Sequence, residues 1–96
     1  MDFVLEVSPA ARRDLKRLPM EVQEEIVSTH LPAIRADPYG VGKLLVGAFK
    51  GERSYSFGRK PEYRMLYFVE EDRITVTIMG TREGIYKRAR RRRGKG

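Results

Sequence analysis

Two runs rich in aromatic and β-branched residues, 63–69 and 74–79, stand on either side of Glu70, Glu71, Asp72 and Arg73. Such runs fit a pleated, half-buried surface, and the charged residues between them make a turn too polar to bury. They predict an antiparallel hairpin, which needs further partners before it is stable in water. Arg53–Phe57 supplies a third short strand ahead of it. Near the start of the chain Phe3, Leu5 and Val7 alternate with Val4 and Glu6, the period of a fourth strand with one buried face. In the last run Ile74, Val76 and Ile78 alternate with Thr75, Thr77 and Met79, so the first set should pack on a second layer, and Gly80 should close the strand.

The second layer lies between the first strand and the rest. Ser8 is a candidate N-cap with Pro9 in the first helical position, where its missing N–H costs nothing. Ala11, Leu15 and Leu18 then form one apolar stripe, opposite Arg12, Arg13, Lys16 and Arg17. Pro19 interrupts this helix and suits the start of another, in which Val22, Ile26 and Ile34 keep helical spacing beside Val27 and Leu31. Pro32 predicts a kink or break in the second helix, and Asp37-Pro38 ends it. Residues 39–51 are glycine-rich, carry Lys43 and Lys50, and read as an irregular connection. The order predicts an α+β domain: a helical hairpin covers one face of a small four-stranded sheet, three of whose strands form an antiparallel meander, and a short C-terminal helix or tail follows.

A chain of 96 residues supports one core, and with no cysteine it has neither a disulfide framework nor a thiolate site. Charge is distributed unevenly. Lys87, Arg88, Arg90, Arg91, Arg92, Arg93 and Lys95 carry seven positive charges, and no acid follows Tyr86, whereas residues 1–86 hold 13 basic and 13 acidic groups. The expected division is a domain over residues 1–87 and a basic tail over 88–96. Such a tail reads either as a mobile arm that attracts polyanions by releasing counterions or as a solvated aid to solubility. No apolar run approaches the roughly 20 residues that cross a bilayer, and residues 1–7 lack the basic start of a secretory signal, which favours the cytoplasm and no membrane partner.

The hairpin brings the two ends of the segment 63–86 together, and with them Arg64, Arg82 and Tyr86. Guanidinium groups offer planar forks to phosphate oxygens, and a tyrosine can stack on a base or donate a proton, so the trio reads as a phosphate site. The plainer reading pairs Arg64 with Glu62 and packs Tyr86 under the final helix. His30, on a helix near a proline and without a serine or carboxylate partner at motif spacing, reads as a surface or cap residue. Glu70, Glu71 and Asp72 read as a solvated turn rather than a metal site, and Gly40-Val41-Gly42-Lys43 is too short for a phosphate loop, so neither metal nor cofactor is expected.

Taken in order, Lys43-Leu44, Arg53-Ser54-Tyr55-Ser56-Phe57, Glu62-Tyr63-Arg64-Met65-Leu66-Tyr67 and Gly80-Thr81-Arg82-Glu83-Gly84-Ile85-Tyr86 resemble the RelE/ParE toxin superfamily, and the likeness spans residues 2–88. It is closer to RelE-like than to ParE-like members. The resemblance implies a partner antitoxin that wraps the toxin and blocks its site. It implies a metal-independent endoribonuclease that enters the ribosomal decoding site and cuts mRNA by attack of the ribose 2′-hydroxyl on the adjacent phosphate. ParE-like members instead poison DNA gyrase without RNA chemistry, and a third reading is a non-catalytic nucleic-acid-binding module. By position Arg64, Arg82 and Tyr86 match the family residues that stabilise the phosphate, assist the leaving oxygen and stack on a base. One departure stands out: the strand that carries lysines in the RelE pattern has Ser54 and Ser56 here. Lys43, Lys50, Arg53, Arg59 and Lys60 are the candidate replacements, with Arg59 and Lys60 the best placed, and Lys87, Arg88, Arg90 and Arg91 are candidate RNA contacts from the tail.

Overall fold

The computed structural model describes residues 3–47 and 50–94, with side chains as far as Arg91. The chain runs β1 (Val4–Val7), α1 (Pro9–Lys16), α2 (Met20–Glu25), a π-helical turn (Ile26–His30), α3 (Leu31–Ala36), α4 (Pro38–Val41), β2 (Lys43–Leu44), β3 (Arg53–Phe57), β4 (Tyr63–Glu70), β5 (Arg73–Thr81) and α5 (Arg82–Gly94). The strands form one sheet in the order β1-β5-β4-β3-β2, with β1 parallel to β5 and the other pairs antiparallel. The α+β class expected from the sequence is the one observed.

The sheet has five strands rather than four. Lys43 and Leu44 pair with Ser54 and Arg53, inside the stretch expected to be irregular. A strand of two residues has no periodicity to read; it exists because β3 offers an open edge. The turn before it, α4, is capped by Asp37, whose Oδ1 accepts from the Gly40 N–H at 3.0 Å. The buried Tyr67 hydroxyl donates to Pro38 O at 2.6 Å and ties α4 to β4, and a Cβ at Gly42 would overlap that hydroxyl.

Ser8 caps α1 as expected, its Oγ accepting from the Ala11 N–H at 3.1 Å. The irregularity expected at Pro32 takes the form of the π-helical turn just before it, closed by the Leu31 N–H on Ile26 O. Proline has no N–H to donate and its ring crowds the preceding turn, and a widened turn is one way a helix accommodates both. Its i to i+5 spacing also sets Glu25 beside His30. His30 is therefore not a surface residue: it is buried, with Nε2 at 2.7 Å from Glu25 Oε2, Nδ1 at 2.7 Å from the Tyr55 hydroxyl, and its ring stacked on Phe57. Burial, and after it the Glu25 charge, raises the pKa of Tyr55, which keeps that hydroxyl protonated.

The core lies on both faces of the sheet. Ala11, Ile26 and Ile34 of the helical layer pack on Met65, Tyr67, Ile74, Val76 and Met79, while Leu66 and Ile78 on the other face meet Ile85 and Ala89 of α5. The simple alternation expected in β5 breaks at Thr77, since Leu66 pairs with Ile78 and Tyr67 with Val76, leaving Thr77 as an extra residue. This bulge reverses the phase of the strand, so Ile78 faces α5 and Met79 takes its place under the helical layer. Strand β5 also runs one residue past Gly80.

Candidate active site

Helix α5 begins where β5 ends, and Ile85 and Ala89 seat it on Leu66 and Ile78. Glu83 in its first turn complements the positive end of the helix dipole. The register places Ser56 opposite Arg64, and Arg64 opposite Gly80, so these positions share the sheet face that α5 covers.

Arg64 and Tyr86 meet there. Arg64 Nη1 donates to the Tyr86 hydroxyl at 2.7 Å, with the guanidinium carbon 5.6 Å from the ring centroid, and Tyr86 donates in turn to Ser54 Oγ at 3.3 Å. Arg64 Nε donates to Glu62 Oε2 at 2.8 Å, while Arg82 Nη1 stands 3.9 Å from Glu62 Oε1. The Arg82 N–H donates to Glu62 O at 2.9 Å, which fixes the start of α5 against the start of β4. The pairing of Arg64 with Glu62 and its contact with Tyr86 thus coexist. Partial burial disfavours the charged guanidinium of Arg64, but the bonds to Glu62 and Tyr86 outweigh it and raise its pKa. Arg64 is largely covered, whereas Arg82 is 64% exposed, so one cation is fixed and the other can reorient.

The other cations divide into two groups. Arg59 and Lys60 line a cleft of about 470 Å³ with Pro61, Glu62, Thr81, Arg82 and Glu83, beside the two arginines. Lys43 lies directly across from Ser54 and shares its face of the sheet. Arg53 and Lys50 are elsewhere. Arg53 donates to Tyr39 O and Gly42 O and braces α4, and Lys50 lines a separate hollow of about 650 Å³ with Glu52, Phe68, Thr77, Ile78 and Ala89. Lys87, Arg90 and Arg91 are exposed on α5.

The tail is not a free arm over its described length. Residues 82–94 are one helix that passes position 88 without a break, and Arg88 turns inward. Its Nη1 donates to Asp14 Oδ1 at 3.0 Å and its Nη2 to Met79 O at 2.9 Å, so it is committed to the fold. A helical continuation of α5 lets Ala89 add to the seam, which an extended arm would leave in water. Residues that sequence reasoning did not assign to the site are Glu62, which links both arginines, and Ser54 as a partner of Tyr86. The Arg64–Glu62 pair was read in the sequence, but as an alternative to the site and not as part of it; a spacing of two residues puts both side chains on one face of an extended strand.

A fixed guanidinium group, an exposed one beside the same carboxylate, and a phenol between sheet and helix can bind an anion and stabilise charge as it develops on phosphate oxygens. No protein-family model matches the chain. The chain is similar to the toxin RelG of Mycobacterium tuberculosis, with 31% identity over 90 residues that cover 92% of this chain and all of the relative. Its fold matches the RelBE2 toxin–antitoxin complex of the same organism with a TM-score of 0.77 at 25% identity, over 85% of this chain and all of that one. It also matches a mutant of the Escherichia coli toxin RelE in its free state, with a TM-score of 0.69 at 20% identity over 88% and 87% of the two chains. Sequence identity along the whole of one relative and the match of fold agree, and the chain belongs to the RelE-like toxins of the RelE/ParE superfamily.

Proposed function

We propose that this toxin is a ribosome-dependent mRNA endoribonuclease whose catalytic groups are Arg64, Arg82 and Tyr86. The observation that carries the reading is the Glu62 carboxylate held between the Arg64 and Arg82 guanidinium groups, because an anion is already accommodated where a scissile phosphate would be clamped. In the reaction the ribose 2′-oxygen bonds to phosphorus as the bond to the 5′-oxygen breaks. One proton leaves the 2′-hydroxyl, one reaches the 5′-oxygen, and a cyclic phosphate remains. Arg64, preset by its bonds, stabilises the phosphate oxygens, the exposed Arg82 assists the leaving oxygen, and Tyr86 offers its ring to a base.

Ser54 and Ser56 supply no cation on β3, and Lys43, Arg59 and Lys60 are the nearest replacements in the fold. Exposed Lys87, Arg90 and Arg91 extend the positive surface towards the ribosome. A cognate antitoxin is the expected partner, since structural neighbours are toxin–antitoxin complexes. Among the described residues no helix is long and apolar enough to cross a membrane.

Primer extension on a message in a purified translation system tests this. The wild-type protein should cut at ribosome-occupied codons, and Arg64→Ala/Arg82→Ala should cut on the order of a hundredfold less or worse. An uncut message with folded wild-type protein would overturn the reading, and a DNA supercoiling assay would then test gyrase as the target.

A further inference from the structure

The face that α5 buries is narrow. Ile85 and Ala89 are its only buried apolar side chains among the described residues, and a seam of one isoleucine and one alanine permits the helix to roll. At about 100° per residue, Tyr86 and Arg88 fall on opposite flanks of that seam, each about 80° from its centre. Tyr86 meets Arg64 on one flank. On the other, Arg88 reaches Asp14 of α1, a carboxylate with 1% of its side chain exposed, and Met79 O of β5. The same carboxylate accepts from the Met79 N–H at 3.1 Å. Strand β1 stops at Val7, opposite Val76, so further along β5 the edge is completed by these two side chains in place of a strand. Gly80 makes this possible, because a Cβ there would overlap Arg88 Nη2.

We propose that Arg88 is a positioning residue for Tyr86: with Asp14 and Met79 it pins one flank of α5 and thereby fixes the phenol against Arg64 on the other. Its catalytic consequence rests on the nuclease reading above. Its structural consequence does not. A guanidinium held by a buried carboxylate and a backbone carbonyl has one geometry, and a flexible point charge cannot reproduce it. A reacting group displaced by about 1 Å can lose on the order of a hundredfold in rate, so a loosened α5 is costly even with every catalytic side chain present.

Removing Arg88 alone strands a buried carboxylate and can unfold the protein. The test therefore uses Arg88→Gln together with the neutral pair Asp14→Asn/Arg88→Gln, each checked for folding by circular dichroism. In protein carrying ¹³C at the tyrosine ζ carbons, five tyrosines give five signals, and Tyr86→Phe identifies the one that matters. The pinned-flank arrangement predicts that the Tyr86 signal moves in the neutral pair towards its position in Arg64→Ala while the other four stay. An unmoved Tyr86 signal in a folded variant overturns it. In the cleavage assay the neutral pair should lose at least tenfold, and combining it with Tyr86→Ala, which removes the ring, should cost no more than Tyr86→Ala alone. Losses that multiply would mean that Arg88 acts independently of Tyr86, and would also overturn the proposal. Should the wild-type protein leave the message uncut, the nuclease reading falls, and the tyrosine signals still decide whether Arg88 positions Tyr86.

Discussion

The buried Tyr67 hydroxyl, which donates to the backbone carbonyl of Pro38, shows how one side chain sets a measurable property of the whole domain. Burial is the main reason its pKa is pushed up to about 12, with the Arg53 charge opposing and Asp37 reinforcing. The folded state thus holds this proton more tightly than the unfolded chain, where tyrosine titrates near 10. The stability it contributes is complete below about pH 10 and is lost as pH rises towards 12, roughly 3 kcal/mol over the interval. Tyr67→Phe should lack this alkaline loss, so the stability gap between wild type and variant should narrow as pH rises from about 10 towards 12. At neutral pH the variant should be less stable by about 1–3 kcal/mol, because Pro38 O is left buried without its donor. Urea unfolding at pH 8 and pH 11 measures both effects. The trio Arg64, Arg82 and Tyr86 was legible as a spatial group because strands that pair in a hairpin bring sequence ends together. Arg88 was not: within a run of cations nothing marks the one that turns inward, and its partner Asp14 lies 74 residues away.

At the scale of elements, Thr77 is the extra residue that shifts the phase of β5. Deleting it would restore strict alternation in β5 with Val76 still opposite Tyr67 and Ile78 still opposite Leu66, so Ile78 would keep facing α5 and Met79 the helical layer. Both cores should then stay packed, and the expected cost is about 1–3 kcal/mol from losing the bonds of the Thr77 hydroxyl to Glu52 and to Leu66 O, seen as a lower thermal midpoint with near-ultraviolet circular dichroism kept. A Thr77→Ser variant keeps the count of residues and should keep both signals. The strand β3 has the bounds that the sequence predicts, and β4 and β5 differ from them by one or two residues, because periodic apolar patterns report burial directly. The bulge was hidden because threonine suits the pattern of a regular strand. The edge strand β2 and the turn α4 were hidden because each is too short to carry a period and depends on contacts from β3 and Tyr67. The π-helical turn announced itself only through Pro32, which says that a helix must yield but not how.

Across the whole molecule, charge and packing are interleaved at α5, where Arg88 and Ala89 belong to the fold and the residues beyond carry most of the excess positive charge. Deleting residues 92–96 removes Arg92, Arg93 and Lys95. The slope of log affinity against log salt for single-stranded RNA should become shallower by about 2, at roughly 0.7 per charge, with unfolding unchanged. Deleting from residue 88 would instead lower stability as well, which urea unfolding separates from the salt effect. The parallel pairing of β1 with β5 bears on when the toxin comes into being. Val4 lies beside Arg73, so the sheet cannot close while the intervening helices and strands are still being synthesised. Nascent chains arrested before Arg73 should be cut throughout by a low dose of protease, whereas a protected domain at that stage would contradict this order of assembly. A ribosome making this protein therefore handles a chain without a finished weapon, and the delay is written into which strands are neighbours.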